Sequence, residues 1–251
     1  MRLVRAIFKM TLKKKETKVF LTFSVFPMLM IIINLFNTKF MQLSAPKNSL
    51  GFIDFFQATQ SVQYQIVLPI LAIIYLVTSS IHDEIFNGTL FLYKDIARRK
   101  IINSKLISFI LVYDIFFILT FTASLITYYT SLIGKEYTSG KFLSGSISDL
   151  NYSLLGILAV FLMFHLSICL ATCLSVRFNN GITLLVTTIF ILFSFIAPHL
   201  NGLKYLFPNG YLNELNHYGV GLTLLLMIIV SVIYMSVFIF GAYYGFRKVE
   251  Y

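Results

Sequence analysis

The sequence predicts an all-α membrane protein with six transmembrane helices. Hydrophobic residues make up 58% of the 251 and charged residues only 12%, which is outside the range of soluble globular domains. The sequence contains six apolar stretches near or above the roughly 18 residues needed to cross a hydrocarbon core about 30 Å thick. These stretches are continuous rather than alternating, which favours helices over a membrane barrel. We therefore expect one membrane domain covering residues 1–251.

The predicted spans are residues 19–36, 64–81, 106–133, 154–176, 182–200 and 220–246. The first span is too long for the apolar part of a cleaved signal peptide, and Leu43 stands where cleavage would need a small residue. We therefore expect the N-terminus to be retained. The outer connections, residues 37–63, 134–153 and 201–219, are too short for a folded extracellular domain, which typically needs at least about 50 residues.

Residues 1–18 predict an amphipathic helix that lies in the membrane interface as an elbow before the first span. At 100° per residue, one face carries Arg2, Arg5, Lys9 and Lys13. The opposite face carries Leu3, Val4, Ile7, Phe8 and Met10. This pattern is typical of a surface anchor whose basic face meets anionic lipid. A basic tail that only sets orientation is the alternative.

The net charge of +10 is explained by its distribution along the chain. With six spans and both termini in the cytoplasm, fifteen Lys and Arg residues fall on the inner side and five on the outer side. This asymmetry satisfies the positive-inside rule, and the reverse topology would violate it. Orientation and contact with the lipid bilayer account for the basicity, so nucleic acid is not an expected partner.

Residues 201–219 are rich in aromatic and apolar side chains for an outer loop, and Pro208-Asn209-Gly210 forms a turn signal within them. The sequence predicts a short re-entrant or interfacial hairpin at the outer face, before the last span. The hairpin would be either a structural lid or a gate on a transport pathway. Pro208, Asn209 and Tyr211 are the gate candidates.

Enzyme chemistry is not indicated by any motif in the chain. The string nearest to a phosphate-binding loop, Gly134 to Phe142, has one residue too many between its glycines and Phe where a hydroxyl residue belongs. Cys169 and Cys173 lie four apart inside the fourth span, where small packing residues are the expected role. We therefore predict no catalytic residue, no metal site and no cofactor in this chain.

Two ionisable residues fall inside predicted spans, which makes them candidates for a translocation path because charge is costly in lipid. Asp114 lies in the third span and His165 in the fourth, at similar depths, so the two could pair if these spans are neighbours. Asn34 is a further polar candidate. The sequence leaves two interpretations open: a structural or pore-lining polar pair, and a pair that couples transport to proton movement.

The segment His82–Lys105 carries eight of the chain's thirty acidic and basic residues, and its apolar residues recur at helical spacing. Glu84, Gly88-Thr89, an apolar run, then Arg98 and Lys105 before the third span resemble the first cytoplasmic loop of ABC-2-type transporter permeases. The elbow, the six spans and the chain length resemble that family too. The segment departs from the family pattern where a proline commonly precedes Arg98.

The resemblance implies that this segment forms a cytoplasmic coupling helix that docks in a groove of a separate ATPase subunit. The docking residues would be Asp83, Glu84, Phe86, Gly88, Thr89, Leu90, Phe91, Arg98, Arg99 and Lys105. ATP and Mg would be bound by that partner, in two copies. A second permease chain, identical or related, would complete the complex.

The family resemblance also implies a bacterial cell membrane and an exporter, similar to Gram-positive permeases that export amphipathic toxin peptides or confer immunity to lantibiotics. The expected cargo is an amphipathic peptide or another hydrophobic molecule. Two other classes stay open. One is an ion- or proton-coupled secondary carrier that uses Asp114 and His165, and the other is a structural or signalling membrane protein.

Overall fold

The computed structural model describes residues 2–35, 45–89, 96–200 and 202–247, and this part of the chain is helical, without strands. The α-helices are α1 (Arg2–Lys13), α2 (Lys15–Thr22), α3 (Leu29–Leu35), α4 (Phe52–Gln65), α5 (Leu68–Phe86), α6 (Arg98–Thr127), α7 (Ile147–Ser175), α8 (Asn180–Ile196) and α9 (Leu215–Arg247). A π-helical turn, Tyr128–Leu132, extends α6. The 3-10 helices are Phe23–Met28, Ala197–His199, Lys204–Leu206 and Pro208–Glu214.

Six helical segments are long and apolar enough to cross a membrane, which confirms the predicted all-helical, six-span class. They are Lys15–Ile33, Leu68–Phe86, Arg98–Leu132, Ile147–Ser175, Asn180–His199 and Pro208–Arg247. Several extend beyond the predicted bounds, and α6 begins eight residues before its predicted start. The reason is that an apolar window ends at the first charges, whereas helical hydrogen bonding continues through them.

The predicted outer loop 37–63 differs from the structure, because much of it forms the buried helix α4. The Gly51 amide caps this helix by donating to Asp54 Oδ2 at 3.0 Å. Phe52 and Phe56 pack edge-on against Phe121 of α6, with ring centroids 5.2 and 5.1 Å away. The helical conformation is interrupted after α4 at Val67, whose φ is 65°. The second span therefore begins at Leu68 rather than at residue 64.

The first span is interrupted by the 3-10 helix Phe23–Met28, which contains Pro27. Proline lacks an amide hydrogen and cannot complete the α-helical ladder, so a change of helix type at this point is expected. Gln63 of α4 donates to the Phe23 carbonyl at 2.9 Å and joins the interrupted span to α4. The preceding α1 packs against α6 and buries Ile7 and Thr11, while its predicted place in the membrane interface stays a prediction.

The segment before the last span is compact and consists of 3-10 turns followed by a bend at Gly219, whose φ is 74°. Lys204 and Glu214 close this segment with an ion pair at 2.6 Å, and this hydrogen bond raises the pKa of Lys204. The predicted last span, 220–246, begins directly after the bend. We use the name outer hairpin for residues 202–214.

Helix α7 is the most buried of the six candidate spans and packs against α4, α5, α8 and α9. Its Phe164 stacks on Tyr113 of α6 with a centroid distance of 4.7 Å. The bundle has two ends, defined here by acidic residues of α5 and α4. At the Glu84 end, the last turn of α5 lies near Lys105 in the first turns of α6. The Asp54 end contains the start of α4 and the outer hairpin.

Candidate functional site

A cluster of charged side chains at the Glu84 end joins three parts of the fold. Lys105 at the start of α6 is only 3% exposed, and its Nζ lies 2.6 Å from Glu84 Oε2. The same ammonium donates to the Ser80 carbonyl. Lys14, between α1 and α2, donates to Ser80 Oγ at 2.8 Å and lies 3.9 Å from Glu84 Oε1. Glu84 is therefore held between two cations, and α1, α5 and α6 are fixed to each other.

Asp83 and Gly88 also serve the local structure. Asp83 Oδ1 accepts a hydrogen bond of 2.8 Å from Asn180 Nδ2, at the first residue of α8. Gly88 follows the last turn of α5 with a φ of 68°, a left-handed conformation that ends a helix and that glycine adopts without strain. Thr89 Oγ1 donates back to the Glu84 carbonyl at 3.1 Å. The motif residues thus hold the end of α5 and its contact with α8.

Among the described residues of the 82–105 segment, Phe86 is the large apolar side chain that is most exposed. Its side chain is 82% exposed at the last residue of α5, stacked loosely on His82 with the ring centroids 6.2 Å apart. Leu90 and Phe91, also expected to dock, lie outside the described residues. Phe86 therefore presents a large apolar surface next to an anchored set of charges.

The two docking arginines lie near the end of the last span. Arg98 donates to the Arg247 carbonyl, and the Arg99 guanidinium lies 5.8 Å from the centre of the Tyr243 ring. These contacts bring the C-terminal end of α9 to the beginning of α6. The end of α5, the start of α6 and the end of α9 therefore lie close together at the Glu84 end of the bundle.

Asp114 and His165 face each other between α6 and α7. Asp114 Oδ1 lies 3.9 Å from His165 Nε2, too far for a direct hydrogen bond. His165 Nδ1 lies 2.8 Å from the Phe161 carbonyl, which can only accept, so Nδ1 carries a proton. A second proton on this pair would sit on Nε2 or on the carboxyl group. Asn34 lies in α3, but its side chain is outside the described part of the chain.

The Asp54 end contains a cavity of about 390 Å³ that sequence reasoning missed. One wall is polar and uncharged and includes Gln57, Ser61 and Gln65 of α4 and Asn209 of the outer hairpin. The remaining lining is largely apolar, with Ala159, Val160 and Met163 of α7, although it also includes His199. Residues 57, 61 and 65 recur at a four-residue spacing, and this signal of one polar helix face is visible in the sequence.

The three gate candidates of the outer hairpin have different positions. Asn209 lines the cavity and donates to the Ser194 carbonyl at 2.9 Å, while its buried Oδ1 has no hydrogen-bond partner in the described structure. Pro208 and Tyr211 are buried and do not line the cavity. Tyr211 packs against α7 and donates to the Tyr205 carbonyl at 3.0 Å. These two residues hold the hairpin against the bundle.

Comparison with protein-family models gives no match for this chain, and comparison with curated protein sequences gives no significant match. Within the described ranges, no group of three or more His, Cys, Asp or Glu side chains could hold a metal ion. The class that the fold defines is a helical protein with six candidate spans, as expected of a multi-pass membrane protein.

Proposed function

We propose that this chain is the membrane permease subunit of an ATP-driven ABC exporter in a bacterial cell membrane. The observation that carries the proposal is Phe86, a large apolar side chain that is almost fully exposed in the segment resembling the ATPase-docking loop of ABC-2-type permeases. An exposed aromatic residue beside fixed charges is suited to insert into a groove of a partner. The six candidate spans and the lack of a phosphate-binding motif in the sequence also support it.

In this proposal the Glu84 end faces the cytoplasm, as do both termini, in agreement with the positive-inside distribution. Two separate ATPase chains bind ATP and Mg there, and a second permease chain completes the pore. Closure of the ATPases pushes on residues 82–105 and shifts the spans between inward and outward states. Glu84 and Lys105 transmit this motion, because they tie α5 to α6 and, through Lys14, to α1.

The cargo in this proposal is an amphipathic peptide or another molecule with an apolar part. The cavity at the Asp54 end supports this choice because one wall offers amide and hydroxyl groups and the other offers apolar side chains. The cavity lining includes His199 but no Asp, Glu, Lys or Arg, so it offers no permanently charged partner to a highly charged cargo. The cavity would lie on the outer side of the membrane, where exported cargo leaves the protein.

The replacement Phe86→Ser tests the docking face without disturbing the fold, because the side chain has few intramolecular contacts to lose. We expect about tenfold less copurification of the partner ATPase, since an interface anchor of this kind contributes at least about 1.4 kcal/mol. Ile147→Ser is the matched control, because Ile147 is 79% exposed but begins α7 at the opposite end. Equal recovery of the ATPase with both variants would contradict the proposal.

A proton-coupled secondary carrier is the second candidate function, and the Asp114–His165 distance of 3.9 Å favours it. In such a carrier, a proton would bind to the pair during each transport cycle. Asp114→Asn would then abolish transport driven by an imposed pH gradient in ATP-free vesicles, and Phe86→Ser would leave it unchanged. The exporter proposal expects the reverse: no transport in ATP-free vesicles, and loss of ATP-dependent transport in Phe86→Ser. The control for charge is Asp149→Asn, at the first turn of α7.

A further inference from the structure

A groove of about 620 Å³ runs between α1 and α6. Its lining residues are Arg2, Val4, Arg5, Phe8, Ile107 and Leu111. Four of the six are apolar, and the volume lies within the range of sites that bind small organic ligands. The groove is therefore large enough for part of a lipid and differs from the polar cavity at the Asp54 end.

The apolar wall of the groove continues along the lipid-facing side of α6. Ile107 and Leu111 are one helical turn apart and exposed, and exposed Ile118 lies on the same helix face two turns further. A hydrocarbon chain that enters the groove can thus remain in contact with apolar side chains along the transmembrane part of α6. This arrangement indicates an occupant with a long apolar part.

The other edge of the groove is cationic and lacks a counter-charge. Arg2 and Arg5 are exposed on neighbouring turns of α1, and neither forms a salt bridge with a described residue. The first fifteen residues of the sequence contain no Asp or Glu. Glu84, the acid tied to the α1–α2 junction, is already engaged by Lys14 and Lys105. The groove therefore offers two free guanidinium groups to an anion.

We propose that this groove binds one anionic phospholipid. The guanidinium groups of Arg2 and Arg5 hold its phosphate, a geometry for which arginine is well suited. Val4, Phe8, Ile107 and Leu111 contact an acyl chain. Basic pockets beside transmembrane helices are a known way of selecting anionic headgroups. This site is independent of the proposed exporter function, and it assigns α1 a specific lipid rather than a general membrane affinity.

The chain contains no tryptophan, so a single introduced tryptophan reports on one position. Leu111→Trp places the reporter in the groove, and Ile189→Trp places it on α8, where the side chain is 57% exposed and does not line the groove. Each full-length variant is reconstituted in vesicles containing brominated phosphatidylglycerol or brominated phosphatidylcholine. At Leu111→Trp we expect the brominated anionic lipid to quench fluorescence with about fivefold preference. At Ile189→Trp we expect no preference.

Two further double variants, made in the Leu111→Trp background, identify which basic residues produce the preference for anionic lipid. Arg2→Gln with Arg5→Gln should abolish it, whereas Lys13→Gln with Lys15→Gln should retain it, although both pairs remove two positive charges from the same region. Adding inorganic phosphate should leave the preference unchanged if a lipid phosphate is the ligand. Ile107→Trp serves as a second groove reporter if Leu111→Trp does not fold.

The proposal is overturned by equal quenching from the two lipids at both groove reporters. It is also overturned if the lysine pair abolishes the preference as fully as the arginine pair, because the effect would then be general surface charge. Loss of the preference on addition of inorganic phosphate would show that the site takes a free anion and not a phospholipid.

Discussion

Glu84→Ala is expected to lower the free energy of unfolding by about 3 kcal/mol, as judged by denaturant titration of the purified protein. The reason is that the variant leaves the ammonium of Lys105 buried at the start of α6 with only the Ser80 carbonyl as a described hydrogen-bond acceptor. Removing one partner of a buried ion pair typically costs about 3–5 kcal/mol, and the partial exposure of Glu84 places the effect at the lower end.

A double variant distinguishes the cost of leaving Lys105 buried without a partner from the cost of losing the Glu84 carboxylate itself. Glu84→Ala combined with Lys105→Met should recover most of the lost stability, because no fully buried charge is left unpaired and methionine keeps the apolar stem. Lys14 also loses its carboxylate, but its side chain is 29% exposed and keeps the hydrogen bond to Ser80 Oγ. Glu136→Ala is the matched control, since its ion pair with Lys47 is fully solvated and is worth at most about 1 kcal/mol. Equal losses for Glu84→Ala and Glu136→Ala would contradict the buried-pair interpretation.

This expected loss changes how the docking face has to be tested. From sequence alone, Glu84→Ala is a natural docking variant, but in the structure the carboxylate holds α5 against α6 and Lys14. A transport defect in that variant would mix a folding effect with a docking effect. Phe86, which lies two residues further and is solvent-exposed, avoids this ambiguity.

Gly210→Ala is expected to destabilise the outer hairpin by about 1–3 kcal/mol, the usual cost of overpacking a buried position. A Cβ at this position would stand 1.8 Å from the Lys204 carbonyl oxygen. Because that atom belongs to the backbone, the turn itself has to move, and the Lys204–Glu214 ion pair with it. We expect a lower free energy of unfolding and faster proteolysis within residues 202–214.

Gly221→Ala provides the comparison for this prediction. Gly221 lies in the same region at the start of the last span, and a Cβ there would meet nothing within 4 Å. Alanine has the better helix propensity, so this variant should be neutral or stabilised by up to about 1 kcal/mol. If both variants retain the stability of the original protein, the outer hairpin tolerates movement and does not depend on close contact at Gly210.

The helix α4 shows where prediction from hydropathy fails. Gln57, Ser61 and Gln65 lower the local hydropathy enough that the region reads as an outer loop. In the structure, Phe52 and Phe56 bury the other face of the same helix against α6. Hydropathy averages the two faces, whereas a helix with one polar and one apolar face is stabilised by what each face contacts.

The charged segment 82–105 shows a second limit. The sequence identifies Glu84 and Lys105 as important charges, but they are twenty-one residues apart, and their pairing depends on the end of α5 meeting the start of α6. Asp114 and His165 could be compared in depth because a helix rises by about 1.5 Å per residue. Their separation of 3.9 Å depends further on which faces of α6 and α7 meet.

The sequence by itself determines the class of this protein, because the need to satisfy backbone hydrogen bonds in lipid turns each long apolar run into a helix. It also determines where the charges lie along the chain. The tertiary structure decides which charges are neutralised and which remain free. The meeting of the end of α5 with the start of α6 pairs the half-buried Glu84 with the buried Lys105, while the packing of α1 on α6 leaves Arg2 and Arg5 beside an apolar groove. Such pairings join residues distant in the chain, so no local pattern can specify them.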